Sequence, residues 1–400
     1  MAKIIFFNIP AYGHVNPSLP VVTELVRQGH QVIYYNAPSF EPVIKTTGAE
    51  FRAYPDSAAT EAEFTRRINN LVSVTVFLLE ESIYLLPFVL SELDREQPDL
   101  VMFDAIALWG MQAAHLRKIP SVASIGLLVQ EGVAGLLTWR DYVAIIRLAL
   151  PNMPALLRRR RQLVSTYGPE IFPHKVLMPC TGDLTLVYTS RMFQPDTPFI
   201  DDRFHFVGPS ILPGSRPQTD FPWDWLDPNR PHLYLSLGTL YNTNTAFYRA
   251  VLTAFADHPA QLIMAVGRQT DLRRLEPIPD NCLVQPAVPQ LSLLSKVDLF
   301  ITHGGMNSIS EGLYYGVPLV VVPQQIEQAL NGRQVARQGA GLVLADKPPY
   351  GRIDAGVLRR TVDQVLADPT YRHQAEQLSA SFIAAGGYQK AVELITARLT

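Results

Sequence analysis

Two histidines, one directly after a predicted β-strand and one in the loop that follows another, are the residues of this chain best suited to chemistry. His303 ends the apolar run "DLFIT" and is followed at once by Gly304 and Gly305. His14 lies in the predicted loop "PAYGHVNP", after the apolar run "KIIFFNI". An imidazole can take up a proton, donate a hydrogen bond or bind a metal ion. The neighbours of each histidine decide which of these chemistries the sequence favours.

His14 has a predicted partner in Asp104, which ends another apolar run, "PDLVMFD". In an open parallel sheet, functional side chains collect at the carboxyl ends of the strands, so the two residues are expected to meet there. A carboxylate that holds a histidine fixes its tautomer and stabilises the imidazolium, which is the arrangement of a general base. A histidine that only makes a structural hydrogen bond is the alternative.

The turn that contains His303 predicts an anion site. The segment "NSISEGLYYG" behind it has helical spacing, and a helix N-terminus offers unpaired N–H groups and a partial positive charge. The two glycines allow a diphosphate to approach the backbone closely. The alternative is simple capping, by Asn307 or by a capping box of Ser308 and Glu311. Capping does not explain two glycines behind a histidine, and this favours anion binding.

Motifs of several other enzyme classes are missing from the sequence. No G-x-G-x-x-G follows the first strand, which argues against a nicotinamide or flavin enzyme, and no G-x-x-x-x-G-K-[ST] marks a P-loop ATPase. No D-x-D occurs, and no two of the nine histidines have H-x-x-x-H spacing. We therefore expect neither a bound cofactor nor a built-in metal site.

Composition and charge indicate a soluble globular protein of two domains. The chain has 400 residues, of which 48% are hydrophobic and 18% charged. Its formal net charge of -2 gives no electrostatic reason to expect nucleic acid or an anionic membrane as partner. The arginine run 158–161 is a local exception, interpreted as the solvated face of a helix, with a phosphate-binding patch as the alternative.

The sequence predicts a cytoplasmic protein without a membrane span. The apolar region "SIGLLVQEGVAGLLTWRDYVAIIRLAL" is interrupted by charged residues and is a poor span. Cys180 and Cys282 do not suggest a disulfide framework and favour a reducing compartment. The apolar start of the chain meets Pro10 too early for a signal peptide.

The elements that must position these residues are apolar strands that alternate with helices in both halves of the chain. Such a pattern implies parallel sheets covered on both faces. Residues 208–223 are rich in Pro, Gly and Ser and form a predicted linker. We therefore predict an α/β fold of two doubly wound, Rossmann-like domains, 1–207 and 224–400, that face each other across a ligand-binding cleft.

Three stretches of the chain resemble one known family. The segment "VPQLSLLSKVDLFITHGGMNSISEGLYYGVPLVVVPQQIEQALN" (288–331) is similar to the donor-binding signature of the family 1 UDP-sugar-dependent glycosyltransferases, which have the GT-B fold. "GHVNPSLPVVTELVRQGHQV" and "FDAIALWG" match the same family in the right order. Within this family, the motifs most resemble those of the bacterial macrolide and flavonoid glycosyltransferases. The resemblance implies an N-terminal acceptor-binding domain and a C-terminal donor-binding domain.

The resemblance also implies roles for single residues. His14 would deprotonate the acceptor hydroxyl, with Asp104 as its partner. The donor would be held through its base and ribose, its diphosphate and its sugar. The residues implied at the base and ribose are Val288, Gln290 and Glu311. Those implied at the diphosphate are Ser236, Gly238, Thr239, His303, Gly304, Gly305, Asn307 and Ser308. Those implied at the sugar are Glu327 and Gln328.

Two positions depart from the family pattern. Ala287 stands where the family often has an aromatic residue that stacks on uracil, which leaves the nucleobase open. Glu327 stands where aspartate is common, so the sugar-contacting carboxylate is retained but is one methylene longer. By resemblance, Gln328 favours glucose as the sugar.

Aromatic side chains in the first half are candidates for an apolar acceptor pocket. The alternative is that each of them packs in the core as part of an amphipathic helix. The candidates are Phe77, Tyr84, Phe88, Trp139 and Tyr142.

These features together predict an inverting, metal-independent glycosyltransferase. It would move a sugar from a UDP-sugar to a hydroxyl of an apolar small molecule such as a macrolide, flavonoid or terpenoid. Inversion is implied by the family and not by any spacing in the sequence. The alternatives are a nucleotide-sugar epimerase on the same architecture and a non-catalytic sugar-nucleotide-binding module. The sequence predicts no oligomeric state.

Overall fold

The first half of the chain forms a parallel sheet. The structure, a computed structural model, describes residues 1–55, 71–129, 136–173, 178–214, 219–238, 244–347 and 353–399. The strands of the first sheet are β1 (Lys3–Phe7), β2 (Gln31–Asn36), β3 (Glu50–Ala53), β4 (Leu100–Asp104), β5 (Ser121–Ile125), β6 (Leu184–Val187) and β7 (Phe204–Phe206). They lie in the order β3-β2-β1-β4-β5-β6-β7, and each neighbouring pair is parallel.

Helices cover both faces of this sheet. They are α1 (Tyr12–Arg27), α2 (Glu41–Lys45), α3 (Leu71–Glu96), α4 (Leu108–Arg117) and α5 (Trp139–Tyr167). On β1, Ile4 and Phe6 join the core that includes α1, whereas Ile5 and Phe7 join the core that includes α3 and α4. Because successive strand residues point to opposite faces, an uninterrupted apolar strand requires helices on both sides.

One helix within the described residues is long and apolar enough to cross a membrane. It covers Ser73–Glu96 of α3, and half of its apolar window is buried. The helix packs against α4 and α5. A core helix passes the same test of length and composition, so this finding is weak evidence for a span.

The second half forms another parallel sheet. Its strands are β8 (His232–Ser236), β9 (Gln261–Ala265), β10 (Cys282–Gln285), β11 (Leu299–Thr302), β12 (Leu319–Val321) and β13 (Gly341–Val343), in the order β10-β9-β8-β11-β12-β13. The helices that follow β8 are α6 (Thr245–Phe255), α7 (Gln290–Leu294), α8 (Met306–Tyr314), α9 (Ile326–Arg337), α10 (Ala355–Ala367), α11 (Pro369–Ala384) and α12 (Gly387–Thr396). The predicted class of two Rossmann-like α/β domains is confirmed.

The chain divides into two compact units. The first comprises Met1–Val133, Thr138–Ser215 and Ala384–Thr400, and the second comprises Ala134–Leu137 and Arg216–Ile383. The change from the first unit to the second after residue 215 falls inside the predicted linker 208–223. The predicted second domain, 224–400, is too long at its C-terminal end.

The C-terminal helix α12 belongs to the first unit. Its Val392 and Ile395 are buried in the same cluster as Val15 of α1. At its start, the backbone N–H of Gly387 donates to the carbonyl of Val207 at 2.6 Å. An amphipathic pattern predicts that a helix has a buried face but not which sheet that face covers. For this reason the sequence assigned α12 to the wrong domain.

Candidate active site

His14 and Asp104 lie together at the carboxyl end of the first sheet. Strands β1 and β4 are parallel neighbours, so the residues that end or follow them lie at one edge. Nδ1 of His14 lies 2.9 Å from Oδ2 of Asp104, although 90 positions separate the residues. The structure therefore brings the predicted pair together.

The sequence predicted that His14 lies in a loop. In the structure His14 instead belongs to the first turn of α1. The helix begins at Tyr12 and contains Pro17 and Pro20. Proline lacks an N–H and usually breaks a helix interior, which is why the sequence predicts a later start. The side chain of Asn8 donates to the carbonyl oxygen of His14 at 3.2 Å. The ring is thus carried by a helical backbone that is tied to the end of β1.

Asp104 selects one tautomer of the His14 ring. The aspartate side chain is 1% exposed and the histidine side chain 14% exposed. Oδ1 of Asp104 accepts the backbone N–H of Ile106 at 3.0 Å, so Oδ2 is the oxygen that faces the ring. Because a carboxylate only accepts hydrogen bonds, Nδ1 of His14 carries the hydrogen and Nε2 is the basic nitrogen. A general base requires this tautomer.

The His303 ring lies between two glycines at the carboxyl end of the second sheet. A Cβ on Gly238 would lie 2.6 Å from Cε1 of the ring, and a Cβ on Gly305 would lie 2.5 Å from Nε2. Gly238 follows β8, and β8 is the parallel neighbour of β11, which precedes His303. Any side chain at either glycine would displace the ring, so the spacing of histidine and glycines is explained by packing.

Gly304 brings the same turn close to helix α9. Its φ is +91°, in the left-handed region that favours glycine, and a Cβ there would lie 2.9 Å from the carbonyl oxygen of Gln328. The turn after β11 is therefore held against the helix that carries Glu327 and Gln328.

The His303 ring is neutral and partly buried. Burial lowers the pKa of His303 to about 4, and the backbone carbonyl of Ser236 opposes this shift. The ring is therefore uncharged at neutral pH. Its Nδ1 has no hydrogen-bond partner among the described residues. An anion placed beside the ring would raise the pKa of His303 because the charged form would gain a partner.

Helix α8 begins without the predicted capping. Its N-cap is Gly305, which has no side chain, while Asn307 and Ser308 lie inside the first turn. Glu311 faces another residue altogether, because its Oε2 accepts from Nε2 of Gln290 at 2.6 Å. The capping alternative is therefore wrong. A helix N-terminus of this kind suits an anion.

The two residues predicted at the ribose contact each other. Besides its bond to Glu311, Gln290 accepts the hydroxyl of Tyr234 through Oε1 at 2.9 Å. Tyr234 is buried on β8 and was not found by sequence reasoning. Val288, predicted beside the base, is partly buried next to Ala287.

The two residues predicted at the sugar lie in the first turn of α9. Oε1 of Gln328 accepts the backbone N–H of Gln324 at 2.8 Å. Nδ2 of Asn331 donates to Oε1 of Glu327 at 2.5 Å and to the carbonyl oxygen of Gly304 at 3.0 Å. Sequence reasoning did not find Asn331, although its place four residues after Glu327 puts both on one face of the helix.

Two further predictions concern the loop after β8 and the acceptor. The side chain of Ser236 accepts the backbone N–H of Gly238 at 3.3 Å, and Thr239 lies outside the described residues.

The predicted acceptor residues divide into two sets. The core of the first unit contains Phe77 with Phe88 packed against it, and the surface carries Tyr84, Trp139 and Tyr142. For Phe77 and Phe88 the core alternative applies.

Comparisons with known proteins agree with this geometry. Residues 249–396 match the family described as erythromycin biosynthesis protein CIII-like, C-terminal domain. The NDP-glycosyltransferase YjiC of Bacillus subtilis (strain 168) is 34% identical over 394 residues, 98% of this chain and 96% of that protein. The demethyllactenocin mycarosyltransferase of Streptomyces fradiae is 30% identical over 422 residues, 100% of this chain and 87% of that protein.

A solved structure shows the same architecture. The glycotransferase of kitacinnamycin superimposes with a TM-score of 0.84 at 27% identity, covering 100% of this chain and 99% of that structure. Both the sequence relatives and the solved structure are glycosyltransferases, which agrees with a histidine–aspartate pair in one unit and a glycine-containing turn at a helix N-terminus in the other. This chain belongs to the family 1 glycosyltransferases of the GT-B fold and is an enzyme.

Proposed function

We propose that this glycosyltransferase moves glucose from UDP-glucose to a hydroxyl of an apolar natural product, with inversion at the anomeric carbon and without a metal ion. The observation that carries the proposal is the His14–Asp104 contact, because it leaves Nε2 as the basic nitrogen. A cytoplasmic location is part of the proposal, and the buried thiols of Cys180 and Cys282 suit a reducing compartment.

The proposed reaction is a single displacement. Nε2 of His14 takes the proton of the acceptor hydroxyl while the oxygen forms a bond to the anomeric carbon. The bond from that carbon to the diphosphate oxygen breaks, and UDP leaves with the electron pair. Asp104 stabilises the imidazolium that forms. One displacement from the face opposite the leaving group inverts the anomeric configuration.

The donor diphosphate is proposed to lie at the N-terminus of α8. The N–H groups of the first turn and the His303 ring would donate to it, and the glycines on both sides make room for that ring. Within the described residues, no three His, Cys, Asp or Glu side chains lie close enough to hold a metal ion. The turn itself is proposed to stabilise the charge of departing UDP.

Recognition of glucose is proposed to rest on Glu327 and Gln328. The carboxylate of Glu327 is held by Asn331 and would accept from two sugar hydroxyls. The Oε1 atom of Gln328 is already bonded to Gln324, so its amide nitrogen is the end that would donate to the sugar. The mycarosyltransferase relative transfers another sugar by its name, so the donor must be tested directly.

The test is a donor–acceptor panel. UDP-glucose, UDP-galactose and TDP-glucose are each offered with a macrolide, a flavonoid and a triterpenoid, in the presence and absence of EDTA. We expect a β-glucoside from UDP-glucose with an initial rate that EDTA does not change. An α-glucoside would refute inversion, and a rate lost in EDTA and restored by Mg²⁺ would refute metal independence. A new sugar nucleotide formed without acceptor would indicate the epimerase alternative.

A further inference from the structure

Helix α5 exposes an apolar stripe from its first residue, Trp139, to Leu157. We call the following exposed residues the α5 stripe: Trp139, Tyr142, Val143, Ile146, Leu150, Met153 and Leu157. They recur at spacings of three and four residues, which places them on one side of a helix. The other side of α5 is the packed one, where Leu163 is buried in the core of the first unit.

The α5 stripe is too long for a small-molecule acceptor alone. From Trp139 to Leu157 the helix advances about 27 Å at its usual rise per residue. A drug-sized ligand would leave most of this length in water. Contiguous exposed apolar surfaces of this kind mark places where proteins meet other proteins or membranes.

Arginines border the α5 stripe. Arg140, Arg147 and Arg158 are spaced by seven and eleven residues and therefore lie along one flank. Helix α5 contains six arginines and one aspartate, a formal charge of 6 − 1 = +5, in a chain whose total is -2. The aspartate, Asp141, is buried in the capping box at the helix start, and Arg159 pairs with Glu80 at 3.1 Å. The whole-chain charge conceals this local concentration.

The positive charge of α5 favours an anionic bilayer over a second copy of this chain as the partner of the stripe. A second copy of this chain placed against the stripe would oppose two faces of like charge. An anionic bilayer offers acyl chains to the apolar stripe and phosphates to the guanidinium groups, the surroundings preferred by an interfacial helix. We propose that α5 docks the enzyme in the plane of a bilayer that contains anionic phospholipid. Arg158 and Arg161, which lie on the side of α5 near the stripe, then contact headgroup phosphates, while Arg159 stays paired with Glu80.

The experiment is co-sedimentation of the full-length protein with vesicles. One set is phosphatidylcholine, and the other is phosphatidylcholine mixed with phosphatidylglycerol. At low ionic strength we expect about tenfold or more tighter binding to the mixed vesicles, since each basic residue near an anionic surface contributes. The difference should shrink in high salt because the attraction is screened.

Two pairs of variants locate the contact. Ile146→Ser with Leu150→Ser changes side chains that are 55% and 67% exposed, and Ile383→Ser on α11 is the control at 57% exposure. Arg147→Glu with Arg158→Glu reverses charge beside the stripe, and Arg249→Glu on α6 is its control. Both double variants should lose most vesicle binding, at unchanged circular dichroism and melting temperature, while the controls bind like the wild type.

Three outcomes would overturn the proposal. The wild type could fail to bind the mixed vesicles, or both double variants could bind as well as the controls. The third is a concentration-dependent dimer that Ile146→Ser with Leu150→Ser disperses, without vesicle binding by the wild type, which would assign the stripe to a second copy.

Discussion

Two histidine–aspartate pairs occur in the described part of this molecule, one in each unit, and only one of them has the geometry of a base. The nitrogen–oxygen distances are nearly equal, 2.9 Å for His14–Asp104 and 2.8 Å for His258–Asp363. The pairs differ in the ring nitrogen that meets the carboxylate and in what surrounds the ring. Distance alone therefore does not separate the pair proposed as catalytic from a structural one.

In the second pair both ring nitrogens serve the fold. Nε2 of His258 faces Asp363, and Nδ1 accepts the backbone N–H of Ala260 at 3.1 Å. The histidine is 4% exposed and the aspartate 51%, the reverse of the burial in the His14 pair. His258 precedes β9 and so lies at the amino end of a strand, where α/β enzymes do not bind ligands. Tautomer, ring access and strand end distinguish the pairs.

The largest expected effect is on turnover. His14→Ala should lower kcat for a phenolic acceptor about 10²–10⁴-fold, the usual contribution of general base catalysis. His258→Ala should leave kcat unchanged, because its ring nitrogens are both occupied by the fold. Steady-state rates of both variants decide the comparison. Equal losses would mean that the two pairs act in the same way and would remove the distinction.

The aspartates provide a finer test of the tautomer. In Asp104→Asn, Oδ1 keeps the Ile106 N–H, and the new NH₂ group donates to Nδ1 of His14, so Nε2 carries the hydrogen. We expect kcat to fall on the order of 10²-fold, since the base is then in the wrong tautomer. Asp363→Asn should not change kcat. If Asp104→Asn retains full activity, the aspartate does not fix the tautomer of the base.

A third histidine should separate donor binding from proton transfer. His303→Gln removes the ring between Gly238 and Gly305, and the dissociation constant of UDP should rise about 10–100-fold, as for loss of a hydrogen bond to a charged group. His14→Ala should leave that constant unchanged. Calorimetric titration with UDP measures both. Unchanged UDP affinity in His303→Gln would remove the diphosphate role of that residue.

The smallest expected effect is on stability. His258→Ala leaves the Ala260 N–H without its buried acceptor, so the free energy of unfolding should fall by about 1–3 kcal/mol. Asp363→Asn, at an exposed partner, should cost less. Urea unfolding of both variants gives the values. If His258→Ala is as stable as the wild type, the ring has no structural task.

The parallel sheets and the meeting of His14 with Asp104 could be predicted from the sequence. Apolar strands between helices define such sheets, and the residues that follow neighbouring strands share one edge. The start of α1 could not be predicted from the sequence, because Pro17 and Pro20 inside it are ordinarily helix breakers. The true N-cap of α8 was hidden because Asn307 and Ser308 are themselves good capping residues.

Contacts between distant segments were harder still to predict. The buried face of α12 carries no mark of the sheet that it covers. The bond from Asn331 to the Gly304 carbonyl depends on the approach of α9 to the turn after β11, which only the fold fixes. The His258–Asp363 pair could not be predicted either, because residue types alone give neither the tautomer of His258 nor its burial.

The most direct test of His14 as the base compares two acceptors of the same shape on one variant. A phenol must lose its proton during the reaction, whereas an aromatic thiol reacts as a thiolate that is already substantially formed at neutral pH. We predict that His14→Ala abolishes most transfer to the phenol, spares transfer to the thiophenol and binds UDP like the wild type. Equal failure of both acceptors with normal UDP binding would contradict the assignment of His14 as the general base.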